Sequence, residues 1–476
     1  MSAFVRLTDF IAISPLLILL FGALLLLLVE TFAEKWAKKG TFYLALILLT
    51  TAFYAALFAP ESRDPLLTPW LRFDELARFF SLFFLGIGIL VALLSASFFQ
   101  RFEATRGEYY FLLLSALFGL ILIGSSADFL TLFLGIETLS ISLYVWCSYM
   151  KKWEISHEAA LKYFLMGSMA AAFLLYGIAL IYGALGTTRF DALLTGYQGL
   201  TTTYDRALFL GGISFVTLGL AFEAALVPFQ VWAPDVYHGA PSPVTSFMAV
   251  GTKAGAFAAF IILFLFALPH FDLRWNYAMA ALACFSLVYA NFVALKQTQM
   301  RRFFAYSGIS HAGFLVLPII AGTADALLTV QFYLAIYALA TLGAFAVFAF
   351  LDETSEGVKI EDLKGLFKKS PVLACSLAFF FLTLAGIPPT AGFLAKLAIF
   401  KLLYQAGYVW LVILALLTTI LSAYYYLRIL AVMFSSETHE NSILQHSWPA
   451  SLVGVISSLG ILILSIYPTP FLALLK

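Results

Sequence analysis

The chain has 476 residues, 63% of them hydrophobic and 11% charged, where a soluble domain carries about 25% charged residues. Most of its surface is therefore not made for water, and a net charge of +1 gives no basis for a nucleic-acid partner or an acidic tail. Cys147, Cys284 and Cys375 lie far apart in apolar runs without a CxxC pattern, which speaks against a disulfide framework or a cluster site and reads as small core residues.

The first apolar run, Phe10 to Val29, has the roughly 20 residues that a bilayer crossing needs. It continues into Glu30, Thr31 and Phe32 without a small-residue cleavage site, so it reads as a retained helix and not a signal peptide. Apolar runs between polar breaks predict fourteen spans: 10–32, 41–59, 79–99, 109–124, 129–150, 160–185, 207–227, 244–268, 277–295, 303–321, 326–350, 371–400, 409–434 and 449–467. Helices are required, because backbone groups in lipid must be satisfied within their own segment. The runs are too long and too evenly apolar for the alternating strands of a β-barrel. The longest predicted loops, near 60–78, 186–206 and 351–370, leave no room for an extramembrane domain.

Loop charge sets orientation. Fourteen Lys and Arg residues fall in loops after odd-numbered spans and nine on the opposite side, so both termini are expected on the periplasmic side of a bacterial-type inner membrane. Of the 27 basic residues, four remain inside or at the edges of spans: Lys162, Lys253, Lys396 and Arg428. Two carboxylates, Glu137 and Glu223, and one imidazole, His311, also lie at depth. An ionisable group there costs about 2.5–3.5 kcal/mol or more, so it faces protein or water and marks an ion pathway. The bland reading, structural ion pairs or snorkelling, suits Arg428 best and Lys253 and Lys396 least.

Two predicted helices break near such groups. The seventh runs through AFEAALVPF (221–229) into Pro228, and the twelfth carries GIPPTAGF (386–393), with Pro388 and Pro389, inside an apolar run. Proline removes a backbone donor and clashes with the preceding turn. Paired interrupted helices in different halves point to midplane sites in inverted-repeat transporters. Glu223 is close in sequence to the first break and Lys396 to the second. An ammonium withdrawn from water can accept and release protons near neutral pH, and a nearby carboxylate restrains it.

Soluble-enzyme motifs fail. His157-Glu158-Ala159-Ala160-Leu161 lacks the second histidine of a zinc motif, Gly308-Ile309-Ser310-His311-Ala312 lacks the closing glycine of a nucleophile elbow, and no phosphate-binding GKS or GKT loop occurs. The reading is a polypeptide with no catalytic residue, metal site or cofactor of its own.

Six segments then resemble the antiporter-like membrane subunits of NADH:quinone oxidoreductase (respiratory complex I) and the related multi-subunit cation/proton antiporters. They are ETLS (137–140), EAALKYF (158–164), PFQVWAPDVYHGAP (228–241), RFFAYSGISHAG (302–313), LAGIPPTAGFLAK (384–396) and SAYYYLR (422–428), in the family's order. The fourteen-span length, the Leu-Lys-Tyr-Phe segment and the lack of a long C-terminal lateral helix favour the N-type subunit. The resemblance implies an all-α polytopic fold in four parts: residues 1–108, three helices; 109–268, a first inverted repeat of helices 4–8; 269–434, a second of helices 9–13; and 435–476, helix 14. It also implies a proton path through Glu137, Lys162, Glu223, Lys253, His311 and Lys396, driven by quinone reduction elsewhere. NADH, FMN, iron–sulfur clusters and quinone would sit in partner subunits, and the neighbours would be other antiporter-like and small helical membrane-arm subunits. A multi-subunit antiporter, a membrane-bound hydrogenase complex and a non-pumping spacer are the competing readings. One position departs from the family: Glu223 stands where a seventh-helix lysine is usual, and Gln230 replaces the usual histidine. Two carboxylates brought together there would share a proton, with Lys162 as a candidate counter-charge.

Overall fold

The computed structural model describes residues 7–102, 107–269, 273–352, 354–436 and 447–468. The two chain ends, whose side of the membrane the loop charges predict, lie outside them in residues 1–6 and 469–476. The helices, in chain order, are α1 Ser14–Phe32, α2 Glu34–Leu57, α3 Glu75–Phe102, α4 Gly107–Gly124, α5 Phe129–Cys147, α6 Glu154–Leu185 and α7 Thr203–Glu223. After a break, α7 resumes as a half-helix, α7b, Trp232–Gly239. Then come α8 Ser242–Ala267, α9 Leu273–Ala294, α10 Met300–Ala321, α11 Ala326–Phe348, the halves α12a Pro371–Ala385 and α12b Ala391–Gln405, α13 Val409–Met433 and α14 Trp448–Ile466. Among the described residues thirteen helices are long and apolar enough to cross a membrane, and the two fifteen-residue halves of α12 make a fourteenth crossing.

Burial sorts these helices. In their most apolar windows α10 and α11 are 94% buried, whereas α1, α6, α13 and α14 are 33% buried and turn rows of Leu, Ile, Val and Phe outward. The outer helices therefore meet lipid or neighbouring chains, and α8, α10 and α11 form the axis. Helices approach closely through small residues: a Cβ on Gly119 of α4 would meet Gly135 O of α5 at 2.6 Å, and one on Gly177 of α6 would meet Gly212 O of α7 at 2.6 Å. Cys147 is buried as expected, but Cys284 is half-buried and Cys375 is exposed on α12a. An apolar run does not distinguish a lipid-facing position from a core one, so the reading of all three as core residues is corrected.

Helices 4–8 and 9–13 are built alike. The α4–α5 pairing is repeated by α9–α10, and α6–α7 by α11–α12. Five crossings per unit is an odd number, so the second unit starts on the opposite face and is inverted. The breaks share one construction. In α7, Leu226 N–H donates to Ala221 O at 2.8 Å and Ala225 N–H to Phe222 O at 2.9 Å; in α12, Ile387 N–H donates to Leu382 O at 3.0 Å and Gly386 N–H to Thr383 O at 3.1 Å. This is the Schellman pattern, which needs a left-handed residue. Gly386 supplies it at φ 77°, and Ala225 at φ 55°. Proline follows three residues later in both, as Pro228 and Pro389, and prevents the helix from simply continuing.

The loops predicted at 186–206 and 351–370 hold short helices instead, at Leu193–Gly199 and Leu366–Lys369. α8 contains a π-helical turn, Met248–Thr252, which ends immediately before Lys253 and has no local signature in the sequence.

Candidate functional site

The arrangement starts at α5. Asp128 caps it, accepting from Thr131 N–H at 2.9 Å, and two and a half turns on, Glu137 faces α6 and α7. Glu137, Ser140 and Tyr144 of α5 share a cavity of about 10 Å³ with Gly167 of α6 and Glu223 of α7, room for one water molecule. Glu223 is 3% exposed. Neither Glu137 Oε1 nor Glu223 Oε1 meets a hydrogen-bond partner among the described residues. Glu223 is the last residue of α7, where the carbonyl end of the helix favours a cation over a carboxylate. Among the described residues, Glu137 and Lys253 act on it electrostatically.

Lys162 is not the counter-charge of Glu223. Its ammonium donates to Asp235 Oδ2 at 2.8 Å and pairs with Glu158 Oε1 at 2.8 Å, with its side chain 38% exposed. The reason lies in α6: Glu158 is one turn before Lys162 on the same face, and that face meets α7b, which carries Asp235.

Lys253 follows the π-turn of α8 and is 1% exposed. Its Nζ donates to Tyr237 Oη of α7b at 3.0 Å. It lies in a recess that a glycine makes: a Cβ on Gly308 of α10 would stand 3.0 Å from both Lys253 Nζ and Tyr337 Oη. Tyr337 Oη donates to Ala249 O at 3.1 Å, inside the π-turn.

His311, one turn beyond Gly308, is 5% exposed and lies within electrostatic reach of both Lys253 and Lys396. Its Nδ1 is 2.7 Å from Tyr333 Oη and its Nε2 3.5 Å from Tyr426 Oη, while Tyr426 also bonds Ser307. His311, Tyr333, Tyr337 and Thr383 share a second water-sized cavity, of about 10 Å³, with Lys396. Lys396 of α12b is 3% exposed; it donates to Ala385 O, the last carbonyl of α12a, at 2.9 Å and stands 4.8 Å over the Phe314 ring. The break thus provides a carbonyl end that holds an ammonium.

Of the residues singled out from the sequence, Glu223, Lys253, His311 and Lys396 are buried and Glu137 is half-buried beside Glu223, whereas Lys162 stands aside in exposed ion pairs. Pro228, Pro388 and Pro389 lie in the breaks, as expected. The structure adds Tyr237, Tyr333, Tyr337, Tyr426 and Ser307. The spacing of Tyr333 and Tyr337, one turn apart on α11, was a signal of a shared face; nothing local marks Tyr426. Arg428, at the edge of its span, donates to Leu295 O at 2.8 Å, the structural role the bland reading gave it.

Comparison with known proteins identifies the family. The profile of the family described as NADH:quinone oxidoreductase/Mrp antiporter, TM, matches residues 126–422. NADH-quinone oxidoreductase subunit N of Protochlamydia amoebophila is 60% identical over 100% of this chain and 99% of its own length. Its counterpart in Chloroflexus aggregans is 37% identical over 98% and 96%. Among solved structures, a chain of respiratory complex I from Thermus thermophilus superposes with a TM-score of 0.82 at 32% identity, over 96% of this chain and 98% of that one. A chain of an archaeal membrane-bound sulfane sulfur reductase superposes with a TM-score of 0.84 at 26% identity, over 98% and 96%. The chain belongs to the NADH:quinone oxidoreductase/Mrp antiporter family of polytopic membrane proteins, within its NADH-quinone oxidoreductase subunit N group.

Proposed function

We propose that this chain carries protons across the bacterial inner membrane as a membrane-arm subunit of an NADH:quinone oxidoreductase. The carrying observation is a set of ionisable groups at membrane depth: Glu137 and Glu223 around one water-sized cavity, Lys253 on the Tyr237 hydroxyl, and His311 and Lys396 around a second cavity with Tyr333 and Tyr337. Buried ionisable groups in a membrane interior persist where an ion passes. The two five-helix units, 109–268 and 269–434, each supply one broken helix and one buried lysine. Glu137 and Glu223 line one cavity and each leaves a carboxylate oxygen without a hydrogen-bond partner among the described residues, an arrangement suited to a shared proton. Lys162 pairs with Asp235 of α7b, and this reading gives it an anchoring role beside the path.

The redox chemistry belongs to partner subunits, which would hold FMN and the iron–sulfur clusters and receive NADH and quinone; neighbouring antiporter-like and small helical subunits would cover the outward-facing helices. Both termini would lie on the periplasmic side, by the loop charges. The name of the 60% identical relative supports this reading over an antiporter or hydrogenase complex, and the buried Lys253 and Lys396 support it over a passive spacer.

The test is proton movement by the assembled complex in inverted membrane vesicles, relative to NADH oxidation. Glu223→Gln keeps the shape and removes the exchangeable proton, so protons moved per NADH oxidised fall. A normal ratio in Glu223→Gln takes Glu223 out of the path; a normal ratio in Lys253→Met and Lys396→Met together removes the proposal.

A further inference from the structure

A second polar cluster lies where α7b ends, apart from the groups above. Arg301, in the first turn of α10, is 2% exposed. Its Nη1 donates to His238 O at 3.1 Å, Ala240 O at 3.2 Å and Ser355 O at 3.0 Å; its Nε donates to Ser242 Oγ at 3.1 Å, and its Nη2 lies 3.5 Å from Asp352 Oδ1. Ser242 donates to Asp352 Oδ2, closing a buried triangle. His238 and Ala240 carry carbonyls at the end of α7b, which lack intrahelical partners and favour a cation. The loop after α11 closes over the guanidinium at Gly357, whose φ is 73° and whose added Cβ would stand 2.6 Å from Arg301 Nε. The next residue, Arg302, grips the same half-helix through Asp235, whose other oxygen takes Lys162.

α7b is therefore held by consecutive residues of a helix from the other five-helix unit. The same two elements form two walls around the Lys253 ammonium: α7b presents Tyr237 Oη at 3.0 Å, and α10 presents the Gly308 recess. By sequence Arg301 is one of the fourteen basic residues in loops after odd-numbered spans. Yet an arginine that is desolvated, bonded to three carbonyls and facing a buried aspartate is committed to one geometry, whereas a loop arginine is free to follow water.

We propose that Arg301 is a positioning residue for Lys253: by fixing α7b against α10 it holds the Tyr237 hydroxyl on the ammonium, so that a shift between the two five-helix units changes the partner of Lys253. This rests on the role of Lys253 in proton transfer proposed above.

The experiment measures protons moved per NADH oxidised, and the amount of assembled complex, in vesicles carrying Arg301→Lys, Tyr237→Phe, the double variant and Lys253→Met. A role confined to folding lowers the amount of complex and leaves the ratio unchanged. Loss of the hydroxyl–ammonium contact is read as a fall in the ratio of about tenfold or more. Both single variants should show that fall, and the double variant should be no worse than the worse single one, because the two act on one contact. An unchanged ratio in Arg301→Lys, or two effects that multiply, overturns the proposal. If Arg301→Lys does not assemble, Ser242→Ala removes the Nε acceptor and the Ser242–Asp352 bond but keeps the guanidinium on its three carbonyls; its ratio must fall, without further loss on adding Tyr237→Phe, and an unchanged ratio there overturns the proposal equally. A normal ratio in Lys253→Met would sink the function proposed for Lys253 and this inference with it. A low ratio in Lys253→Met beside a normal one in Arg301→Lys sinks the positioning role alone.

Discussion

Replacing Gly308 by alanine adds one methyl group where the structure keeps a recess. That carbon would stand 3.0 Å from Lys253 Nζ, 3.0 Å from Tyr337 Oη and 3.1 Å from Lys253 Cε. Each contact is a few tenths of an ångström too tight, and no backbone atom is among the three nearest. Glycine to alanine inside a helix contributes about 0.8–1.0 kcal/mol of helix propensity, against about 1–3 kcal/mol for crowding a packed interior. The lysine end is the softest of the neighbours, so it retreats and the fold survives. The cost then falls on the 3.0 Å bond from Lys253 Nζ to Tyr237 Oη. A hydrogen bond from a charged donor contributes about 1.5–3 kcal/mol, which in a rate is about 10- to 100-fold. Gly308→Ala should assemble normally and oxidise NADH, yet acidify inverted vesicles at a small fraction of the native rate, read by quenching of a pH-gradient dye. Native acidification at native complex content would refute the reasoning that the Gly308 recess serves the Lys253 ammonium.

Gly392→Ala should behave in the opposite way. Its Cβ would lie 1.8 Å from Thr383 O, a backbone atom of α12a, so the half-helices must separate at a cost of about 3 kcal/mol or more; the content of assembled complex on native gels should collapse. Tyr333→Phe removes the hydroxyl 2.7 Å from His311 Nδ1 and leaves that buried nitrogen short of a partner, at about 1–3 kcal/mol; proton movement should fall while complex content changes little. Lys162→Met breaks half-exposed pairs worth at most about 1 kcal/mol, so acidification should fall by no more than about fivefold; a complete loss would return Lys162 to the relay.

Much of this was legible before any coordinates. Continuous apolar runs placed all fourteen crossings, because lipid demands a helix wherever such a run is long enough. The Pro228 and Pro388-Pro389 segments announced two broken helices, since proline cannot continue a helix ladder. Charge placed against that apolar background picked out Glu137, Glu223, Lys253, His311 and Lys396. Other residues carried no such contrast. Tyr237 and Tyr426 look like ordinary aromatic filling in a chain with 23 tyrosines. Arg301 sits beside Arg302 in what reads as a cationic loop end, yet one is buried at 2% exposure and the other is half-exposed.

Local sequence by itself determined which segments enter the membrane, where two of them stop being helical and which groups do not belong in hydrocarbon, because each of these depends on a residue and its near neighbours. Tertiary packing alone decided who meets whom: that Lys162 pairs with Asp235 and not Glu223, that Lys253 finds Tyr237 beside Gly308, and that Arg301 caps a half-helix of the other unit. Those contacts join residues 16 to 73 positions apart, and their geometry comes from helices crossing at particular depths and rotations, which no run of neighbouring side chains encodes.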